Sequence, residues 1–142
     1  WESVLPHRFI MTFRVESFTV PKLEERLSDL TEQGIFAPTM MILDGLHFDE
    51  SRRSDLNALK ALAAKNGMHI WFTVRTHRHE SSGSDGLPVS FSAVAGLFDL
   101  VLELQPERAD VHIKLLRGSG STPGGSPLLL DPSTMLIKDK EL

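Results

Sequence analysis

The chain has 142 residues, 41% of them hydrophobic and 24% charged, with 15 basic side chains against 19 acidic ones and a net charge of -4. That is enough chain for a single domain, residues 1–142, with a core of its own, and the balance is ordinary for a soluble globular protein. It excludes a whole-molecule nucleic-acid polycation, although a local basic patch is compatible with it. The absence of cysteine excludes disulfides and thiolate metal sites and fits a reducing compartment. No apolar run approaches the roughly 18 residues that a bilayer demands, and no signal peptide opens the chain. A cytoplasmic location without membrane contact is the expectation. The chain begins at Trp1 rather than methionine, as a fragment or a processed form would.

Residues 9–15 are rich in aromatic and β-branched side chains and read as a strand that ends at Glu16. Pro21 suits the first turn of a helix, Leu23, Leu27 and Leu30 form its apolar stripe, and Gly34 stops it. Met40, Met41, Ile42 and Leu43 then run straight into Asp44. A continuous apolar run of this kind is what a strand buried on both faces needs. A second helix follows, with Asp49, Ser51 or Ser54 as its cap and Leu56, Leu59, Leu62 and Ala63 as its stripe. Asn66 and Gly67 end it. Residues 69–74 read as a third strand, with Trp71 and Phe72 in the sheet core. The segment from Arg75 to Pro88 is a long polar loop, basic at first and then rich in glycine and serine. A short helix over 89–97, a strand over 99–104 closed by Pro106, a β-rich stretch over 109–116 and short strands over 128–130 and 134–137 complete the chain. Strand alternating with helix in the first half argues for a parallel sheet; the closely spaced strands of the second half argue for an antiparallel extension.

Chemistry is expected at the carboxyl ends of the parallel strands, where open α/β sheets hold their ligands. Glu16, Asp44 and the segment 73–75 all lie there. Two carboxylates on one sheet edge suit metal binding or general-base work, while Asp44 taken alone also suits a turn cap. Arg75, His77, Arg78 and His79 suit phosphate contacts, without an aromatic in the loop for base stacking. His77, His79 and Glu80 form a weaker metal candidate, in a context that preorganises nothing. His69 and His112 read as structural. Ser90 and Ser92 fit no nucleophile pattern.

The run from Met40 to Asp44, the Leu- and Ala-rich helix after it, the strand over 70–74, and Ile113 to Gly120 before Leu128 to Thr134 together resemble the RecA-like P-loop ATPases. The KaiC- and DnaB-helicase-like branch is the most similar. That resemblance implies a three-layer α/β sandwich with a mainly parallel central sheet and antiparallel C-terminal strands. It implies ATP and magnesium as cofactors, with Asp44 as the Walker B aspartate that holds the metal through water. Glu16 would activate the attacking water, Thr73 would sense the γ-phosphate, and Arg117 would reach a neighbouring subunit's nucleotide. Arg75, His77 and Arg78 would face nucleic acid. The chain departs from the pattern in lacking any G-x-x-x-x-G-K-[ST] loop. Leu115 stands where the branch has a lysine, and Val74 where it often has an amide. Three functions stay open. One is an ATPase-type domain whose site is completed by upstream sequence and a neighbouring subunit. The others are a non-hydrolytic RecA-like regulatory or scaffolding module, and a nucleic-acid-binding accessory protein. The first two imply homo- or hetero-oligomers.

Overall fold

The computed structural model describes residues 3–46, 48, 50–75, 83, 87–108, 110–118, 128–134 and 136–138. The chain divides into two compact units, Trp1–Arg75 and Thr76–Leu142. The first is built on a two-stranded parallel sheet, the second on a three-stranded antiparallel one. Parallel pairing in the first half and antiparallel pairing in the second are both present, but among the described residues they form two separate sheets and not one sheet extended at its edge.

In the first unit, α1 (Val20–Glu32) starts where the Thr19 side chain accepts a hydrogen bond from the Lys22 N–H and Pro21 fixes the first turn. It stops at Gly34, whose φ of +66° is the left-handed conformation that closes a helix end. The Ile35 N–H reaches back to Leu30 and the Gly34 N–H to Thr31, so two orphan carbonyls are satisfied. Strand β1 (Met40–Leu43) follows, then a 3-10 turn over Glu50–Arg52, then α2 (Arg53–Asn66), then β2 (His69–Phe72). No side-chain cap opens α2. Arg52 occupies the capping place expected for Asp49, Ser51 or Ser54, and pairs with Asp55 at 3.0 Å; Asp49 lies outside the described residues. Its far end repeats the glycine closure of α1, with Gly67 at φ +61° and the Met68 N–H bonded to Ala63.

The strands pair in parallel register, Met40 with His69 through Leu43 with Phe72. Both helices lie on one face of them. Val20, Leu23 and Leu27 of α1 and Leu59 and Leu62 of α2 cluster with Met68 over Met41, Leu43, Ile70 and Phe72. Glu24 and Lys65 join the two helices at their solvent edge, 2.7 Å apart. The opposite face of the sheet is bare. Met40, Ile42 and Trp71 are 55%, 62% and 45% exposed. This corrects the expectation of a strand buried on both faces and of Trp71 in the core. Burial on the second face needs a second helical layer, and the described residues of the first unit supply one layer only.

A second correction concerns residues 9–15. The chain is extended there and its side chains alternate, with Met11 and Phe13 turned to the core. It joins neither sheet. At Arg14 the Ser17 N–H and hydroxyl both bond the Arg14 carbonyl, which curls Val15–Ser17 into a 3-10 turn. Strand composition is present, but its backbone has no ladder to join.

The second unit begins with a single helical turn, α3 (Val89–Ser92), and a 3-10 turn over Ala95–Leu97. The helix expected over 89–97 is thus two short turns hinged at Val94, which is fully buried. Strands β3 (Val101–Glu107) and β4 (Asp110–Arg117) form a hairpin with Arg108 at φ 54°, and β5 (Leu128–Leu130) pairs with β4. Pro106 does not close β3 but sits within it, opposite Val111; β3 is an edge strand, where proline is tolerated. The hairpin is two-faced. Leu102 meets Leu115 and Leu104 meets Ile113 on one side, while Glu103 meets Lys114 and Gln105 meets His112 on the other. The last expected strand, over 134–137, is reduced to one bridge between Leu130 and Ile137. Asp131 builds a turn instead, accepting from the Ser133 and Thr134 N–H groups.

Candidate functional site

Asp44 and Thr73 stand side by side where β1 and β2 end. The parallel ladder continues one step past the strands, with the Thr73 N–H bonded to the Leu43 carbonyl at 3.1 Å. That step brings the next two side chains to the same sheet edge. The Thr73 hydroxyl donates to Asp44 Oδ1. Both residues are exposed, so the carboxylate is hydrated and pays no burial penalty. Gly45, at φ +81°, turns the chain sharply after Asp44, so no helix starts at the carboxylate. Phe48 then pins the loop. It is buried and meets the Phe72 ring edge-on, with centroids 5.6 Å apart at 85°. Sequence reasoning missed this anchor, because an aromatic in a short loop gives no sign of which ring it will find.

The other expected residues belong to other elements. Glu16 is exposed in the 3-10 turn over Val15–Ser17, and no hydrogen bond joins it to Asp44 or Thr73 among the described residues. Arg75 is exposed just beyond β2, while His77, Arg78, His79 and Glu80 lie outside the described residues. In the second unit Arg117 ends β4, and its Nε donates to the Phe98 carbonyl at 2.9 Å. That bond ties the guanidinium to the chain leading into β3. Val74 is an exposed aliphatic and offers no hydrogen bond to a phosphate.

Among the described residues no group of three or more carboxylates or histidines is placed to hold a metal ion. One carboxylate with a hydroxyl beside it suits a hydrated divalent cation touched through water, where most ligands come from solvent and phosphate. It does not suit a metal held by protein alone. No helix among these residues is long and apolar enough to cross a membrane. Comparison with known proteins adds no assignment: no protein-family model, no curated protein and no solved structure matches the chain.

Proposed function

We propose that Asp44 and Thr73 form the Walker B and sensor edge of a RecA-like ATPase-type domain. The observation that carries this reading is their hydrogen bond across neighbouring parallel strands, at the strand ends where such sheets hold ligands. The bare face of Met40, Ile42 and Trp71 supports it, since a parallel sheet is ordinarily covered on both sides, as the three-layer sandwich requires. The phosphate loop absent from these 142 residues belongs, on this reading, to chain outside them.

In such a site magnesium supplies the positive charge that offsets the phosphates. Asp44 would hold such an ion through water. Thr73 fixes the carboxylate rotamer by occupying Oδ1, so the water-facing oxygen keeps one direction. Arg117 would act on a neighbouring subunit's nucleotide, after releasing or sharing its bond to Phe98. Glu16 would serve as base only if the turn over Val15–Ser17 straightened.

Calorimetric titration of magnesium–ATP into the full-length protein tests the reading. Micromolar binding is expected, abolished by Asp44→Ala and weakened roughly tenfold by Thr73→Val, which keeps the shape and removes the donor. Absence of heat in the unaltered protein would leave a RecA-like module without nucleotide, the regulatory or scaffolding alternative.

A further inference from the structure

Residues 9–13 have the composition of a strand but join no sheet. Met11 and Phe13 pack against the core, while Phe9, Ile10 and Thr12 are exposed. No backbone N–H or C=O from Phe9 to Phe13 has a hydrogen-bond partner among the described residues. Beside this row runs a cleft of about 980 Å³, whose other wall is α1. Lys22, Glu25, Arg26, Asp29 and Gln33 supply that wall from one face of the helix.

Two contacts fix the direction of the cleft. Lys22 Nζ donates to the Ser17 carbonyl at 3.3 Å, which joins the start of α1 to the end of the extended segment. At the other end the Phe9 ring lies 6.0 Å from that of Phe36, beyond the end of α1. The segment therefore runs antiparallel to the helix. Arg14 falls at the Lys22 end, and Asp29 falls toward the Phe9 end. Neither Arg14 nor Arg26 has an ion-pair partner among the described residues. That end of the cleft thus carries Arg14, Lys22 and Arg26 against Glu25, a net positive charge.

We infer that this cleft takes an extended peptide as an added β-strand, with an acidic end beside Arg14, Lys22 and Arg26. A row of free backbone donors and acceptors is a template for another backbone, and strand addition is a recurrent mode of peptide recognition. Nucleic acid fits poorly, because its backbone carries charge along the whole cleft and past Asp29, whereas the peptide's carboxylates meet only the end where Arg14, Lys22 and Arg26 outnumber Glu25. A second copy also fits poorly, since its own strand arrives with its own α1 alongside, and two helices would compete for one cleft.

The test uses the full chain, labelled with nitrogen-15, and three synthetic peptides of about six residues, long enough to span the edge. One alternates valine and threonine and ends in two aspartates. The second ends in two lysines. The third repeats the first with alternate backbone nitrogens methylated. The acidic peptide is expected to shift the amides of residues 9–14 and of the Lys22 to Asp29 face, with sub-millimolar affinity. It should bind roughly tenfold tighter than the lysine-ended one. Methylation should abolish binding, and Arg14→Glu with Arg26→Glu should reverse the charge preference. Three results overturn the inference. They are no shifts up to millimolar peptide, equal binding of the methylated form, and shifts at the same amides on concentrating the protein alone, which would assign the edge to a second copy.

Discussion

Thr73 hydrogen-bonds Asp44 across a gap of 29 residues in the chain. Neither side chain determines the meeting by itself. It follows from the parallel register, Leu43 beside Phe72, which delivers the next residue of each strand to one edge. Replacing the threonine therefore probes the site without disturbing the ladder. Thr73→Val should lower stability by no more than about 1 kcal/mol, since the bond is exposed and water can replace it. Thr73→Ser should restore both stability and the Asp44 rotamer. Urea unfolding and carboxyl-carbon NMR of Asp44 check the pair.

Leu59 is the most informative core position of the first unit. It is fully buried in the cluster between α1, α2 and the sheet. Truncation removes apolar contact and leaves a cavity, so Leu59→Ala should cost about 2–5 kcal/mol. In urea the midpoint should fall with the slope preserved. A changed slope would mean that the two units no longer unfold as they did.

Gly67 ends α2 in the left-handed region, and nothing lies within 4 Å of the place a Cβ would take. Space is therefore not the constraint; backbone conformation is. Gly67→Ala should destabilise by about 1 kcal/mol and Gly67→Asn by less, because asparagine tolerates that conformation better. Thermal unfolding of the two variants separates these outcomes.

The Asp131 turn should respond to acid. Its carboxyl pKa lies below the ordinary 3.8, first because of the Ser133 hydroxyl, then the Ser133 and Thr134 N–H groups, with Lys138 contributing. A lowered folded value means that the turn's contribution is present above 3.8 and is lost as pH falls through the folded pKa. Lys138 is shifted the opposite way, above 10.5, by its hydrogen bond to Asp110. That contribution is complete below 10.5 and is lost as pH rises through the folded value. Between these limits the turn should be indifferent to pH. Following the Ser133 amide by NMR from about pH 7 to about pH 2 tests the acid limb, and Asp131→Asn should remove the transition.

Much of this fold is legible in the sequence, for reasons that differ by element. Helices α1 and α2 announce themselves because Leu23 and Leu27, or Leu56, Leu59 and Leu62, repeat at helical spacing and a glycine closes each. The strands β1 and β2 are equally plain as apolar runs. Burial of Trp71 is not legible, because it depends on whether anything covers the second face. The extended residues 9–13 show the same limit. Composition marks them as a strand, but ladder pairing is a relation with another segment and has no local signature. The site is legible to the same degree. Asp44 and Thr73 can be read as strand ends, whereas the position of Glu16 turns on a local bond from Ser17 to Arg14 that competes with strand extension.

The register of β1 with β2 also has a consequence in time. A hairpin such as β3–β4 closes in about 1–10 μs once its residues are free. The parallel pair must wait for α2 to be made and folded between its halves. At ordinary synthesis speeds of about 5–20 residues per second, the 29 residues from Met40 to its partner His69 take on the order of a few seconds to appear. Throughout that interval a run of Met40, Met41, Ile42 and Leu43 leaves the ribosome with no ladder partner. Slowing translation across α2 should lengthen the interval and raise aggregation of nascent chains, while slowing it after Phe72 should not.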